Sequence, residues 1–225
     1  MTPASDKPED LRKWRLPRGR HGLSRELVTR SQRERLLAAV VRVTAAKGYE
    51  AMSVADILTE AGVGRQSFYE LFNDKLDCLL AAHDLLVDDL TATATVAFEG
   101  PQPWPDRVRT ALAAVLEWFA NNPEAARVTL IELAMAGPGA RDRFRIGFHR
   151  FTAMLEEGLE EPGAAADLPN ITSLAAGTAL TRIYEETAKG RTAELPELLP
   201  ELTFELLVPF LGEDAARETA RGAAG

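Results

Sequence analysis

Residues 53–72 read SVADILTEAGVGRQSFYELF, and this stretch decides the fold of the N-terminal part of the chain. Ser53, with Asp56 three residues later, predicts a capped helix start, and Gly62 and Gly64 predict a tight turn before a second short helix. Apolar residues at helical spacing predict a seam between the two helices. The seam consists of Val54, Ile57, Leu58, Val63, Phe68 and Phe72. Two short helices meeting across such a turn are typical of a helix-turn-helix, whose second helix enters the major groove of DNA.

Polar side chains at the start of the second helix are suited to reading DNA. Arginine pairs bidentately with guanine, glutamine with adenine, and serine reaches either a base or a phosphate. A tyrosine hydroxyl and a lysine ammonium are suited to phosphates. The candidate DNA contacts are Ser53, Arg65, Gln66, Ser67, Tyr69 and Lys75. The alternative is a plain three-helix packing motif that does not bind DNA.

This stretch and its surroundings resemble the TetR family of bacterial transcriptional regulators. The resemblance runs from about Ser31 to Asp84 and is carried by SVADI at 53–57, AGV at 61–63, FYELF at 68–72 and DKLD at 74–77. Several elements agree at fixed offsets, so the motif is specific. The resemblance implies an N-terminal DNA-binding domain followed by a helical body with a ligand pocket and a dimer interface.

Two residues depart from the family pattern. Gly64 stands where the family often has Ser or Thr, and it supplies no side-chain cap, although glycine is tolerated there. Leu71 stands where the family often has a His that meets the phosphate backbone. The departure at Leu71 reduces the expected phosphate contacts by one, whereas Tyr69 can still contact a phosphate.

Composition restricts the class of protein. The chain has 225 residues, 46% of them apolar and 27% charged, as expected of a soluble globular protein. One cysteine and three scattered histidines offer little for a metal site, and we expect no cofactor. No long uncharged apolar run and no N-terminal apolar segment is present, so we expect a cytoplasmic protein that does not cross a membrane. Walker, dinucleotide and G-x-S-x-G motifs are absent, so we do not expect an enzyme.

The net charge of −8 conceals a basic segment. Residues 11–49 alone carry a net charge of +9. A basic segment on an acidic body indicates an anionic partner at one end, for which nucleic acid is the obvious candidate. Arg15, Arg18 and Arg20 are further candidate DNA contacts within this segment, whose alternative is a solvated basic tail.

Helical periodicity and Pro or Gly boundaries predict an all-α chain of about nine helices. Ser31 and Glu34 form a capping-box pattern that predicts the start of the first helix. The predicted regions are an irregular arm at 1–30, a helix-turn-helix domain at 31–91 with its motif at about 54–73, a ligand-binding and dimerisation body at 92–212, and a frayed tail at 213–225.

The resemblance also gives candidate residues in the body. Aromatic and Met residues on its central helices are candidates for a pocket, although such residues are more often core. The pocket candidates are His83, Trp118, Phe119, Met135, Phe148 and Met154. The candidates for a dimer interface are Leu174, Thr178, Leu198, Leu202 and Leu206, whose alternative is ordinary monomer core.

The sequence therefore predicts a dimeric DNA-binding regulator. By family default it is a repressor, released from a near-palindromic double-stranded operator by an unknown small molecule. The alternative is a helical ligand-binding or interaction module without sequence-specific DNA binding.

Overall fold

The computed structural model describes residues 25–164, 168 and 170–222, and this part of the chain contains helices and no strand. The all-α prediction is confirmed. The N-terminal helices are α1 (Arg25–Lys47), α2 (Val54–Ala61), α3 (Arg65–Leu71) and α4 (Lys75–Phe98). Their shared core includes the fully buried Leu36, Ile57, Phe68 and Leu79.

The first helix begins at Arg25 and not at Ser31. Ser31 lies inside the helix, and Glu34 pairs with Arg30 at 3.0 Å instead of completing a capping box. The cap prediction was wrong because residues 25–30 contain neither Pro nor Gly, so nothing stops the helix from extending ahead of Ser31. The predicted contacts at Arg15, Arg18 and Arg20 lie outside the described residues.

The described part of the body consists of α-helices joined in places by a π-helical turn and by two 3-10 segments. Its α-helices are α5 (Trp104–Asn121), α6 (Pro123–Arg127), α7 (Leu133–Met135), α8 (Pro138–Thr152), α9 (Ile171–Ala188), α10 (Leu199–Leu211) and α11 (Glu213–Arg221). A π-helical turn, Val128–Glu132, joins α6 to α7. Two 3-10 segments, Ala153–Glu160 and Thr192–Leu198, follow α8 and precede α10.

Helix α4 belongs to two hydrophobic cores. Its first half contributes Cys78 and Leu79 to the N-terminal core, and Leu90 belongs to the core of the body. The π-helical turn also contributes to the N-terminal core through Val128. The proposed boundary near residue 91 thus falls within a continuous helix that connects the two parts.

The C-terminal segment after Gly212 is a helix, α11, and not the frayed tail that was predicted. Ala216 and Ala220 are buried, four residues apart on one face of α11. The Arg217 guanidinium lies over the Phe204 ring of α10, 5.3 Å from its centroid. The prediction failed because two alanines give a weak apolar signal, although their small size permits close helix packing. Residues 223–225 are outside the described part.

None of the described helices combines the length and the hydropathy that crossing a bilayer requires.

Candidate nucleic-acid interface and ligand cavity

The start of α2 is held by the predicted capping box. The Asp56 backbone N–H donates to Ser53 Oγ at 3.3 Å, and the Ser53 backbone N–H donates to Asp56 Oδ2 at 3.0 Å. Lys47 Nζ donates to Asp56 Oδ1 at 2.6 Å. Hydrogen bonds from Lys47 first, and then from Ser53, lower the pKa of Asp56 to about 2. The Ser53 hydroxyl is therefore already engaged within the chain, in fixing α2.

The turn between α2 and α3 depends on Gly62. Its φ of 59° is left-handed, a conformation that glycine adopts without steric cost, and its N–H donates to Leu58 O. Arg35 of α1 donates to the carbonyl oxygens of Ala61 and Gly62. The six predicted seam residues all belong to the N-terminal core or pack against it, so α1 and the seam fix the position of α3.

Three predicted DNA contacts occupy the first turn of α3. Arg65 is exposed, and within the described part of the chain it has no hydrogen-bond or ion-pair partner. Gln66 is exposed and donates to Glu70 Oε1 at 3.0 Å, and Ser67 is half-buried. Tyr69 is half-exposed, with its ring set edge-on against Phe68. The helix thus presents an uncompensated cation and adjacent hydrogen-bonding groups.

Lys75 has a different role from the one predicted. Its ammonium donates to the carbonyl oxygens of Tyr49 at 2.9 Å and Met52 at 2.8 Å, and it lies 4.5 Å from the centroid of the Tyr49 ring. A third carbonyl, that of Glu50, lies at 3.4 Å. Lysine has three donor hydrogens. Lys75 therefore ties the start of α4 to the loop between α1 and α2, and a phosphate would have to compete with these bonds.

Both departures from the family pattern have clear structural effects. Gly64 is the N-cap of α3 and makes no side-chain cap, as expected from its lack of a side chain. Leu71 is half-buried and packs against the N-terminal core. It stabilises the end of α3 and offers no hydrogen bond to DNA.

The body contains a partly open cavity of about 150 Å³. The predicted residues His83, Phe119, Phe148 and Met154 line it. Its other walls come from α4, α5, α8, α9 and the π-helical turn, and they are almost wholly apolar. The residues that sequence reasoning missed include Val87, Leu90, Ala94, Phe98, Leu112, Val115, Leu130, Phe144, Phe151 and Leu180. Aliphatic residues at core spacing carry no signal that distinguishes a cavity wall from a filled core.

Trp118 and Met135 do not line the cavity, and both predictions were wrong. Trp118 is buried, but its indole N–H donates to Asp89 Oδ2 at 2.7 Å, which fixes the ring outside the cavity wall. Met135 is 61% exposed at the end of α7, just before the break at Gly137. Helical spacing shows which residues share a face of a helix, but it does not show whether that face packs against the core, lines a cavity or is exposed to solvent.

The predicted interface residues fall into two groups. Leu174 and Thr178 are exposed on α9, where Leu174 has 62% of its surface accessible. Leu198 is half-buried. Leu202 and Leu206 are buried in the core of the chain itself, so they cannot lie in an interface. The leucine stripe of α10 is thus mainly monomer core.

Cys78 is a buried apolar residue and not a reactive thiol. Burial raises its pKa to about 12, with a further contribution from the Asp77 charge. Among the described residues, no group of three or more His, Cys, Asp or Glu side chains is placed to hold a metal ion.

Comparison with known proteins agrees with this geometry. The family model for bacterial regulatory proteins of the tetR family matches residues 36–82, which cover α2, α3 and parts of α1 and α4. The regulator CymR from Pseudomonas putida is 27% identical over 123 residues. That alignment covers 55% of this chain and 61% of CymR, so the chain matches about three fifths of that relative's length.

Solved structures share the fold over most of the chain. The fatty acid degradation regulator FadR from Bacillus halodurans has a TM-score of 0.68 at 21% identity, covering 78% of this chain and 94% of that one. FadR from Bacillus subtilis, solved in complex with stearoyl-CoA, has a TM-score of 0.64 at 17% identity, covering 80% and 98%. The chain is thus similar to bacterial regulatory proteins of the tetR family over residues 36–82, and it shares the fold of these solved regulators over most of its length.

Proposed function

We propose that the chain is a DNA-binding transcriptional regulator, a homodimer that represses from a near-palindromic operator and is released by a small molecule in the cavity. The observation that carries the proposal is Arg65 on the first turn of α3, an exposed cation without a hydrogen-bond or ion-pair partner among the described residues. An arginine that the fold leaves unpaired is available for a guanine edge. The capped α2 and the buried seam hold it in position.

Gln66 and Ser67 extend the same surface. The Gln66 amide needs only to exchange its exposed bond to Glu70 for an adenine edge. Tyr69 adds a phosphate contact from the exposed side of α3. Ser53 and Lys75 act by positioning α2 and α4, because their polar groups are used within the chain. The arm residues Arg15, Arg18 and Arg20 add affinity that does not depend on sequence.

A dimer is supported by the exposed face of α9. Leu174, Thr178 and Tyr184 are exposed on this helix, with 62% of Leu174 and 44% of Tyr184 accessible. A two-fold axis beside α9 would set two α3 helices about one DNA turn apart. This arrangement accounts for a near-palindromic site, and DNA binding places the protein in the cytoplasm.

The cavity supports the proposal that a small molecule acts as the effector. An apolar cavity with few polar groups is the usual small-molecule site. FadR from Bacillus subtilis was solved with stearoyl-CoA, whose acyl chain is apolar, so an apolar compound small enough for the cavity is the first effector to test. A ligand that prefers a conformation with displaced α3 helices releases DNA in proportion to its differential affinity.

The test is a selection of preferred DNA from a random pool, followed by fluorescence anisotropy with the selected sequence and a scrambled one. Arg65→Ala should weaken specific binding by about 1–3 kcal/mol and relax the preference at one base position. Arg145→Ala is the matched control, because Arg145 is an exposed arginine on the body. Deletion of residues 1–24 should reduce the salt dependence of DNA binding, and a small apolar compound such as 1-hexanol should raise the dissociation constant for DNA.

The alternative, a helical ligand-binding module, makes different predictions. No sequence would be enriched from the pool, and Arg65→Ala and Arg145→Ala would have equal effects on DNA affinity. That outcome, with both variants folded, would overturn the proposed function.

A further inference from the structure

His83 is a polar residue in the largely apolar wall of the cavity. His83 on α4 is 2% exposed, and within the described residues neither Nδ1 nor Nε2 has a hydrogen-bond partner. A buried polar atom without a partner costs free energy, so native folds rarely keep one without a reason. The imidazole borders the cavity, where only a ligand or water can satisfy it.

The imidazole is neutral at physiological pH. Burial lowers the pKa of His83 to about 4; the Arg143 guanidinium adds to this effect, and the Asp84 carboxylate opposes it. Asp84 and Arg143 form an ion pair with each other. A neutral imidazole offers one N–H donor and one nitrogen acceptor. It is therefore suited to an uncharged hydrogen-bonding group.

The rest of the wall offers no partner for a charge. No Lys, Arg, Asp or Glu lines the cavity. Thr129 is its other polar side chain, and its hydroxyl already donates to Ala125 O at 2.8 Å. A carboxylate or phosphate inside would lose its hydration without a counter-charge. The buried part of the ligand must therefore be uncharged.

The apolar wall is long in one direction. Residues 83, 87, 90, 94 and 98 of α4 all line it, which corresponds to about 22 Å along the helix. Its volume of about 150 Å³ is comparable to one that holds a benzene-sized molecule. His83 lies at the end nearer the N-terminal helices, because the adjacent Ala82 belongs to the N-terminal core.

We propose that the cavity binds a slender, uncharged apolar molecule with a single hydrogen-bonding group, and that His83 holds this group at the end of the cavity nearer the helix-turn-helix. The inference rests on the proposed function, since it specifies the ligand class of the proposed effector cavity. It assigns His83 as the residue that selects for a polar group within an otherwise apolar space.

The test measures binding of three small probes to the full chain by titration calorimetry. The probes are 1-hexanol, which is uncharged with one hydroxyl, hexanoate, which is charged, and benzene, which has no hydrogen-bonding group. Wild-type protein should bind 1-hexanol at least ten-fold more tightly than hexanoate. His83→Phe keeps an aromatic ring without a donor or acceptor, and it should weaken 1-hexanol binding ten-fold or more, equivalent to about 1.4 kcal/mol. The same variant should bind benzene at least as tightly as the wild type.

A second variant keeps the test informative if His83→Phe does not fold. His83→Gln retains a donor and an acceptor, and it should keep more of the 1-hexanol affinity than His83→Phe. The proposal is overturned if wild-type protein does not bind 1-hexanol, if hexanoate binds more tightly, or if His83→Phe leaves the 1-hexanol affinity unchanged. DNA affinity measured on the same samples separates the two proposals. If sequence-specific DNA binding is intact and any of these ligand results is found, only the proposed ligand class is overturned. If the wild-type protein shows no DNA sequence preference, the proposed regulatory function is overturned and the ligand class is judged by the calorimetry alone.

Discussion

At the scale of single residues, the start of α2 depends on the reciprocal bonds between Ser53 and Asp56. Ser53→Ala removes the N-cap acceptor and should lower the free energy of unfolding by about 1 kcal/mol. Ser53→Thr keeps the hydroxyl and should remain close to wild type. Urea denaturation measures both. If Ser53→Ala unfolds at the wild-type urea concentration but loses DNA affinity, the hydroxyl contacts DNA and does not act through the cap.

The carboxylate of Asp56 gives the same cap a pH dependence. Its pKa is lowered to about 2 in the folded chain, against about 3.9 in an unfolded one. A carboxylate with a lowered pKa stabilises the fold above the unfolded value, and this contribution is lost as the pH falls from about 4 towards 2. The stability difference between wild type and Asp56→Asn should therefore shrink across this window. A difference that stays constant from pH 7 to pH 2 would contradict the assigned role of the charge.

At the scale of elements, the π-helical turn connects the cavity to the helix-turn-helix. Thr129 and Leu130 line the cavity, whereas Val128 belongs to the N-terminal core. Glu132 is 6% exposed, and it accepts from the Tyr49 backbone N–H at 2.9 Å. The Tyr49 carbonyl in turn accepts from Lys75. The loop between α1 and α2 is thus fixed by hydrogen bonds to Glu132 of the body and to Lys75 of α4.

Removal of the Glu132 side chain should loosen this loop. Glu132→Ala leaves the Tyr49 N–H without an acceptor and should cost about 1–3 kcal/mol of stability. Hydrogen exchange at the Tyr49 amide should accelerate, and DNA affinity should fall. Glu117→Ala, an exposed carboxylate on α5, is the control. Unchanged exchange at Tyr49 in Glu132→Ala would show that the loop is held by other contacts.

The elements that depend on local sequence were predictable, and those that depend on distant contacts were not. The Ser53 cap and the Gly62 turn are each formed by residues close in the chain, and both agree with the prediction. The bonds from Lys75 to the Tyr49 loop and from Trp118 to Asp89 join residues far apart in sequence. The sequence therefore did not reveal that the polar groups of Lys75 and Trp118 are engaged within the chain. Arg65 was correctly predicted to be exposed, because the apolar seam residues occupy the buried side of α3.

At the scale of the whole molecule, the proposed dimer depends on the outer face of α9. Helix α9 presents two classes of residue on opposite faces. Ala175, Ala179 and Ile183 are buried in the body core, whereas Leu174 and Thr178 face outward. Leu174 is 62% exposed on a helix whose opposite face is packed into the core, so the proposed dimer assigns this outer face to the contact between copies. The buried leucines of α10 hold that helix in the same chain, so they contribute to an interface only by supporting it.

Leu174→Arg should therefore separate association from folding. A charge on the outer face of α9 would be buried in a dimer without a partner, but it remains hydrated in a folded monomer. Sedimentation should show monomers, and the melting temperature at low protein concentration should change little. Operator affinity should fall because two linked recognition helices no longer bind two half-sites together. Ile146→Arg on α8 is the matched control, since Ile146 is 53% exposed in the described structure. Leu202→Ala should behave in the opposite way and lower stability by about 2–5 kcal/mol, because it removes core volume. Dimers that persist in Leu174→Arg would exclude this face of α9 from the interface.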